Sequence, residues 1–251
     1  MRELDPTDTR AVRGPSTDES TGRFGTMAAH DGPTHSPTVV DTILARRSIR
    51  EGYTGEPVDR GLLEAIVACG LAAPSSKNAR PWRLHVITSR HILDAIADAA
   101  ETADDADVYV PPDPLTGEPS PLFSSTVRES AAVLRAVPCA IALENRGVYI
   151  RDVRWLASRD TEVIARSLTA YGLETMGLGA ALENMWLAAG SLSLGAAFLG
   201  DLAIAHDAAQ EMLGLEGDLV GLLALGHAAS PPLSRRDPPA STQTDAPVAW
   251  H

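Results

Sequence analysis

Arg46-Arg47-Ser48-Ile49-Arg50 puts three guanidinium groups and a hydroxyl into five positions of a chain that is otherwise strongly acidic. It follows Val39, Val40, Ile43 and Leu44, whose spacing predicts one or two helical turns. The stretch admits two readings. Forked donors on a rigid element suit a phosphate monoester or another planar anion. Alternatively, it is a solvated basic patch at a helix end, where cations meet the negative end of the helix dipole. The rest of the chain has to decide between them.

The chain has 251 residues, 44% hydrophobic and 22% charged, with a formal charge of -12. That composition describes a globular protein and argues against general affinity for nucleic acid or an anionic membrane, so an anionic ligand needs a locally built basic site. Cys69 and Cys139 lie in apolar contexts and read as buried thiols of a reducing, cytoplasmic protein. The seven histidines show no pair at metal-ligand spacing, and no metal site is expected. Residues 1–36 are polar, rich in Pro and Gly and poor in large apolar side chains; a disordered tail is expected, with Met1 or Met27 as the start. Residues 237–251 read as a flexible arm. Residues 177–200 are long and apolar enough to be weighed as a membrane span. Glu183 and Asn184 near their middle favour a buried helix followed by a buried strand.

In chain order, a helix is expected from Asp59 to Ala72, capped by Asp59 and stopped before Pro74. A polar loop from Pro74 to Pro81 follows, whose serines and Asn78 could meet the edge of a heterocycle or merely join helix to strand. Trp82–Thr88 alternates as a strand, with His85 a strand-face or core histidine, and Ser89–Ala100 reads as a helix. Residues 101–125 carry Asp104, Asp105, Asp107 and several prolines and read as a lid or excursion, the carboxylates forming a solvated face. Further helices are expected at Thr126–Ala136, Thr161–Ala189 and Ala205–Leu213, and strands at Val137–Leu143, Leu194–Leu199 and Leu219–Leu225. Between Asn145 and Arg159, Tyr149, Arg151, Arg154 and Trp155 suit either a substrate-covering surface or a surface helix with snorkelling arginines. The glycines of the long helix (Gly172, Gly177, Gly179) suggest close helix–helix approach, and its nearly all-round apolar surface calls for cover by the fold or a second subunit.

These landmarks fall in one order: Arg46–Arg50, Glu56-Pro57-Val58, Ala73-Pro74-Ser75-Ser76-Lys77-Asn78, Pro81-Trp82, Glu183-Asn184, Ser193-Leu194-Gly195 and Leu223-Ala224-Leu225-Gly226. Together they resemble the flavin-dependent nitroreductase family over residues 37–236. The resemblance implies an α+β sandwich, a mainly antiparallel central sheet flanked by helices, in an intertwined homodimer with FMN at the subunit interface. It implies Arg46, Arg47 and Ser48 at the phosphate and ribityl end, and Arg50 as the catalytic cation near the pyrimidine side of the ring. Pro74, Ser75, Ser76 and Asn78 would reach the flavin from the other subunit, Leu199 and Gly200 would face its edge, and Arg235 or Arg236 would contact phosphate. The implied activity is ping-pong hydride transfer from NADPH or NADH through FMN to a small organic acceptor such as a nitro compound or quinone. Two alternatives stand beside it: an FMN oxidase or dehydrogenase tailoring a specialised metabolite without nicotinamide, and a non-catalytic flavin-binding protein. Arg80 departs from the pattern where the family often has glutamine, and Ser48 argues against the flavin-fragmenting members.

Overall fold

The computed structural model describes residues 38–229. The calls on residues 1–36, Arg235, Arg236 and 237–251 lie outside them.

A four-stranded antiparallel sheet carries the molecule: β1 (Trp82–Ile87), β2 (Cys139–Asn145), β3 (Gly195–Leu199) and β4 (Asp218–Gly226), in spatial order β1-β2-β4-β3. Trp82 faces Asn145 and Ile87 faces Ala140 across the first pair, and Gly195 faces Gly226 across the last. The inner strands are almost wholly apolar because helices cover both faces. On one face α2 (Arg60–Leu71) and the 31-residue α6 (Thr161–Ser191), which follows the short α5 (Val153–Ala157), bring Leu63, Ile66 and Met185 onto Ile141, Leu143, Leu223 and Leu225. On the other, α3 (Arg90–Glu101), α4 (Val127–Ala136) and α7 (His206–Leu213) set Leu93, Ile96 and Leu134 over Ala140, Ala142, Leu222 and Ala224. This is the α+β layering expected. No described helix is long and apolar enough to cross a membrane, and residues 177–200 divide into the end of α6 and β3.

Local chemistry explains the boundaries. The Asp59 carboxylate accepts from Gly61 N–H at 2.7 Å, and α2 ends at Leu71, just short of Pro74. A capping box opens α1 (Val39–Ala45): Thr38 Oγ1 accepts from Asp41 N–H while the Asp41 carboxylate accepts from Thr38 N–H. β2 runs two residues beyond its expected end, through Glu144 and Asn145, which are buried yet satisfied. Glu144 accepts from Glu216 and Gly217 N–H at 2.9 and 2.8 Å and lies 2.7 Å from His85 Nε2, while Asn145 Nδ2 donates to the buried Glu174 at 3.0 Å.

One expectation needs correcting. Cys69 is exposed, because the inward stripe of α2 is set by Leu63, Ile66 and Gly70 and leaves Cys69 off it; Cys139 is buried, and burial pushes its thiol up to about 12. The tight helix–helix contact is at Gly70 of α2, where a Cβ would stand 2.7 Å from Met185 Cγ. Of the α6 glycines, Gly177 backs onto Ser75 and Pro81, whereas Gly172 and Gly179 have nothing within 4 Å of a built Cβ.

Candidate functional site

The Arg46–Arg50 stretch leaves α1 in extended conformation. Arg46 N–H closes the helix onto Thr42 O at 2.9 Å, and Ile49 N–H donates to Ala196 O of β3 at 2.9 Å. Tyr53 O–H donates to Ile49 O at 2.6 Å and fixes the far end. Burial drives the Tyr53 phenol well above its ordinary range, against the pull of nearby Arg50.

Three arginines acquire three different situations. The Arg46 guanidinium lies over the Trp186 ring of α6 at 4.3 Å, with Nε 3.6 Å from Glu183. Its Nη1 is buried and has no hydrogen-bond partner among the described residues, and the same holds for Trp186 Nε1. Buried donors are nearly always paired, so two neighbouring orphans mark a place for an acceptor. Arg47 Nη1 donates to the carbonyls of Arg46 and Leu44, at 2.7 and 3.4 Å. Arg50 is exposed, makes no ion pair among the described residues, and lines a cavity of about 330 Å³. Ser48 is half-buried between them.

Gly200 shares that cavity with Arg50; Leu199 does not, its side chain being 1% exposed in the core. Adjacent strand residues point to opposite faces, so Leu199 anchors the segment while the Gly200 backbone is presented. The approach is close. A Cβ at Gly200 would meet Phe198 Cε1 at 2.8 Å, and one at Gly221 would meet the Gly200 Cα at 2.9 Å, with Gly221 at φ +150°.

The Pro74–Asn78 loop lies elsewhere. It makes a 3-10 turn over Ser76–Asn78, with Lys77, Asn78 and Arg80 all left-handed (φ 49°, 55° and 48°). Ser75 Oγ accepts from Arg80 N–H at 2.9 Å and Asn78 Oδ1 from Arg80 Nε at 3.2 Å, so Arg80 braces the loop. Tyr149 O–H donates to Ser76 O at 2.9 Å, and the Tyr149 backbone N–H is itself held by the buried Glu174 carboxylate. Ser75 packs near Gly177, whereas Arg46 meets Glu183 and Trp186. At 1.5 Å per residue these points of α6 are about 9–14 Å apart. The loop therefore does not line the Arg50 cavity of its own chain.

Sequence reasoning missed the other wall of that cavity. Asp201 Oδ2 accepts from Thr126 Oγ1 at 2.7 Å and from Ser130 Oγ at 3.0 Å, tying the start of α4 to the segment after β3. Thr126 and Asp201 are 75 positions apart, so no local pattern announces the pair; the one available clue was a carboxylate directly after Gly200. Thr126 and Asp201, but not Ser130, also border a second cavity of about 690 Å³ roofed by Tyr109, Pro111, Pro112 and Phe123 of the excursion. The excursion is folded back by a bridge between Pro112 and Pro119, and its Asp107 pairs with Arg128 at 2.8 Å.

Residues 43–227 match the model of the nitroreductase family. A short segment is 44% identical over 57 residues to an NADH dehydrogenase of Thermus thermophilus, covering 23% of this chain and 27% of that protein. The curated relatives are matched over only 23% to 35% of their own length. Among solved structures, nitroreductase A from Vibrio parahaemolyticus superposes with a TM-score of 0.56 at 20% identity, over 87% of this chain and 78% of that one. An FMN complex from Desulfovibrio desulfuricans, described as a nitroreductase, gives 0.54 at 26% identity over 86% of this chain and 100% of the other.

Proposed function

The chain belongs to the nitroreductase family, and from that premise we propose that it is an FMN-dependent oxidoreductase. When bound, FMN would carry two electrons from NADH or NADPH to a small organic acceptor in a ping-pong cycle. The observation that carries this reading is a pair of guanidinium functions along β3 left without partners among the described residues: the buried Arg46 Nη1, and Arg50, which lines a cavity with Gly200. These residues fit the cofactor. Arg46, preoriented by Trp186, would hold its phosphate, with Arg47 and Ser48 adjoining. Arg50 would place a fixed positive charge at the ring, where electron density rises on reduction. Gly200 would let the ring edge come close to backbone.

A homodimer would complete the site, with Pro74, Ser75, Ser76 and Asn78 supplied by the other subunit, since in one chain they stand away from Arg50. Supporting it, α1 leaves Val39, Val40, Ile43 and Leu44 at 72%, 62%, 49% and 65% exposed, and α6 leaves Leu168 and Met176 exposed beside the open Gly172 and Gly179. Apolar surface concentrated on two helices is what an obligate interface covers.

One observation favours the variant in which a specialised metabolite, not nicotinamide, supplies the electrons. Among the described residues, the cavity under the excursion offers a dinucleotide's phosphates a carboxylate, Asp201, and no cation. Anaerobic titration of the FMN-loaded protein with NADH and NADPH separates the two: rapid bleaching at 450 nm, roughly the ordinary flavin band, by either one supports the nicotinamide cycle. A purified protein that is colourless and takes up no added FMN refutes the proposal altogether.

A further inference from the structure

Among the described residues, the cavity beneath the excursion has one formal charge in its lining. Its walls are the rings of Tyr109, Pro111, Pro112 and Phe123, and its floor is Thr126, Gly200 and Asp201. A volume of about 690 Å³ is ample for a molecule of one or two rings. Asp201 is held there by two hydroxyl donors on a single carboxylate oxygen, Oδ2, and it makes no ion pair among the described residues. The nearby cations are otherwise engaged. Arg128 pairs with Asp107, and Arg50 opens on the neighbouring cavity, where the proposed cofactor would cover it.

We propose that Asp201 makes this compartment select by charge, so that the second substrate is a planar aromatic molecule that is neutral or cationic and anionic analogues are rejected. The inference rests on the FMN reading of the adjoining cavity. Three observations point the same way. The lining offers aromatic and proline faces for stacking and no donor fork for a carboxylate. The Tyr109 phenol is held above its ordinary value first by burial and then by the negative fields of Asp105 and Asp201, so those fields reach the roof of the cavity. The excursion that roofs it is acidic as well, carrying Asp104, Asp105, Asp113 and Glu118 besides the paired Asp107.

The test uses the full-length, FMN-loaded protein and three probes sharing one ring: benzamidine, benzamide and benzoate. Each is titrated while the flavin absorption is followed, with equilibrium dialysis as the second readout. Benzoate should bind about tenfold or more weakly than benzamide, the effect of one like charge at a solvent-connected site, and benzamidine at least as tightly as benzamide. Asp201→Asn should abolish the discrimination, Asp201→Glu should retain it, and Glu118→Gln, on the outer rim, should leave it intact. Equal or tighter binding of benzoate overturns the inference, and so does discrimination that survives Asp201→Asn, that vanishes equally in Glu118→Gln, or an absence of binding by all three probes. Failure to take up FMN is a different result, because it refutes the reading of the site on which this one rests.

Discussion

Replacing Arg46 with methionine should separate stability from cofactor binding. In the free protein, the substitution removes the guanidinium stacked at 4.3 Å on Trp186, about 0.5–1 kcal/mol for a partly exposed pair. It also removes the 3.6 Å approach to Glu183; with side chains 30% and 47% exposed, that contributes at most about 0.5 kcal/mol. Against these losses stands the buried Nη1 without an acceptor, a penalty of about 1–3 kcal/mol that methionine does not incur. Methionine keeps most of the apolar stem against Trp186. The balance runs from about 0.5 kcal/mol destabilising to about 2.5 kcal/mol stabilising, centred near 1 kcal/mol stabilising. With FMN the sign reverses, since one charge-assisted contact to phosphate is worth about 1.5–3 kcal/mol, or roughly 10- to 150-fold in Kd. Denaturant unfolding of the cofactor-free proteins and fluorescence titration with FMN measure the two halves. A loss of more than about 2 kcal/mol in the free protein would mean that Nη1 is already satisfied. An unchanged FMN affinity would remove Arg46 from the site.

Arg50→Ala should mainly lower the flavin midpoint potential, read by dye-coupled titration, with a smaller loss of FMN affinity; an unchanged potential and reduction rate would dispose of its assigned role. Gly200→Ala drives a Cβ to 2.8 Å from Phe198 Cε1, so the ring must swing into the cavity; FMN affinity should fall about tenfold or more while the fold, followed by circular dichroism, persists. Glu144 supplies a pH dependence. Burial alone would raise its carboxyl, but His85, the N–H groups of Glu216 and Gly217, and Arg83 bring it below 4.5. Its stabilisation is thus complete above the ordinary carboxyl value and is lost as pH falls through the lower folded value. Glu144→Gln should flatten urea stability over that acid range, and an equally steep acid loss in the variant would refute the attribution. Glu174→Ala orphans Tyr149 N–H, Ile150 N–H and Asn145 Nδ2, costing about 2–4 kcal/mol. It should also speed proteolysis in the loop around Ser76, whose carbonyl Tyr149 holds; protection that is unchanged would break that chain of contacts.

Periodicity made most of the scaffold legible. The i, i+3, i+7 stripe of Leu63, Ile66 and Gly70, the cap at Asp59 and the unbroken apolar run of β4 each have a local cause, and local causes are what a sequence displays. What stayed hidden depends on distant partners. Glu144 and Asn145 fell just past the expected end of the strand at Leu143, yet they are buried within β2 because Glu174, His85 and two N–H groups satisfy them. Cys69 looked internal because its neighbours are apolar, and only the rotation of α2 about its axis turns it outward. At the site, Arg50 and Gly200, both named from sequence, line one cavity. Leu199 was named with them and serves the core instead. The Thr126–Ser130–Asp201 clamp required the topology that brings α4 beside the end of β3.

The bond from Ile49 N–H to Ala196 O has a bearing on solubility. Among the described residues β3 is the last strand of its sheet, and an uncovered last strand is a template on which further chains can pair. Here that edge is overlain by a segment bearing Arg46, Arg47 and Arg50, whose mutual repulsion would resist stacking of successive copies. Substitutions that strip the positive charge would also strip this protection. Aggregation is then expected to accompany the emptiest variants, and supplying the cofactor should suppress it.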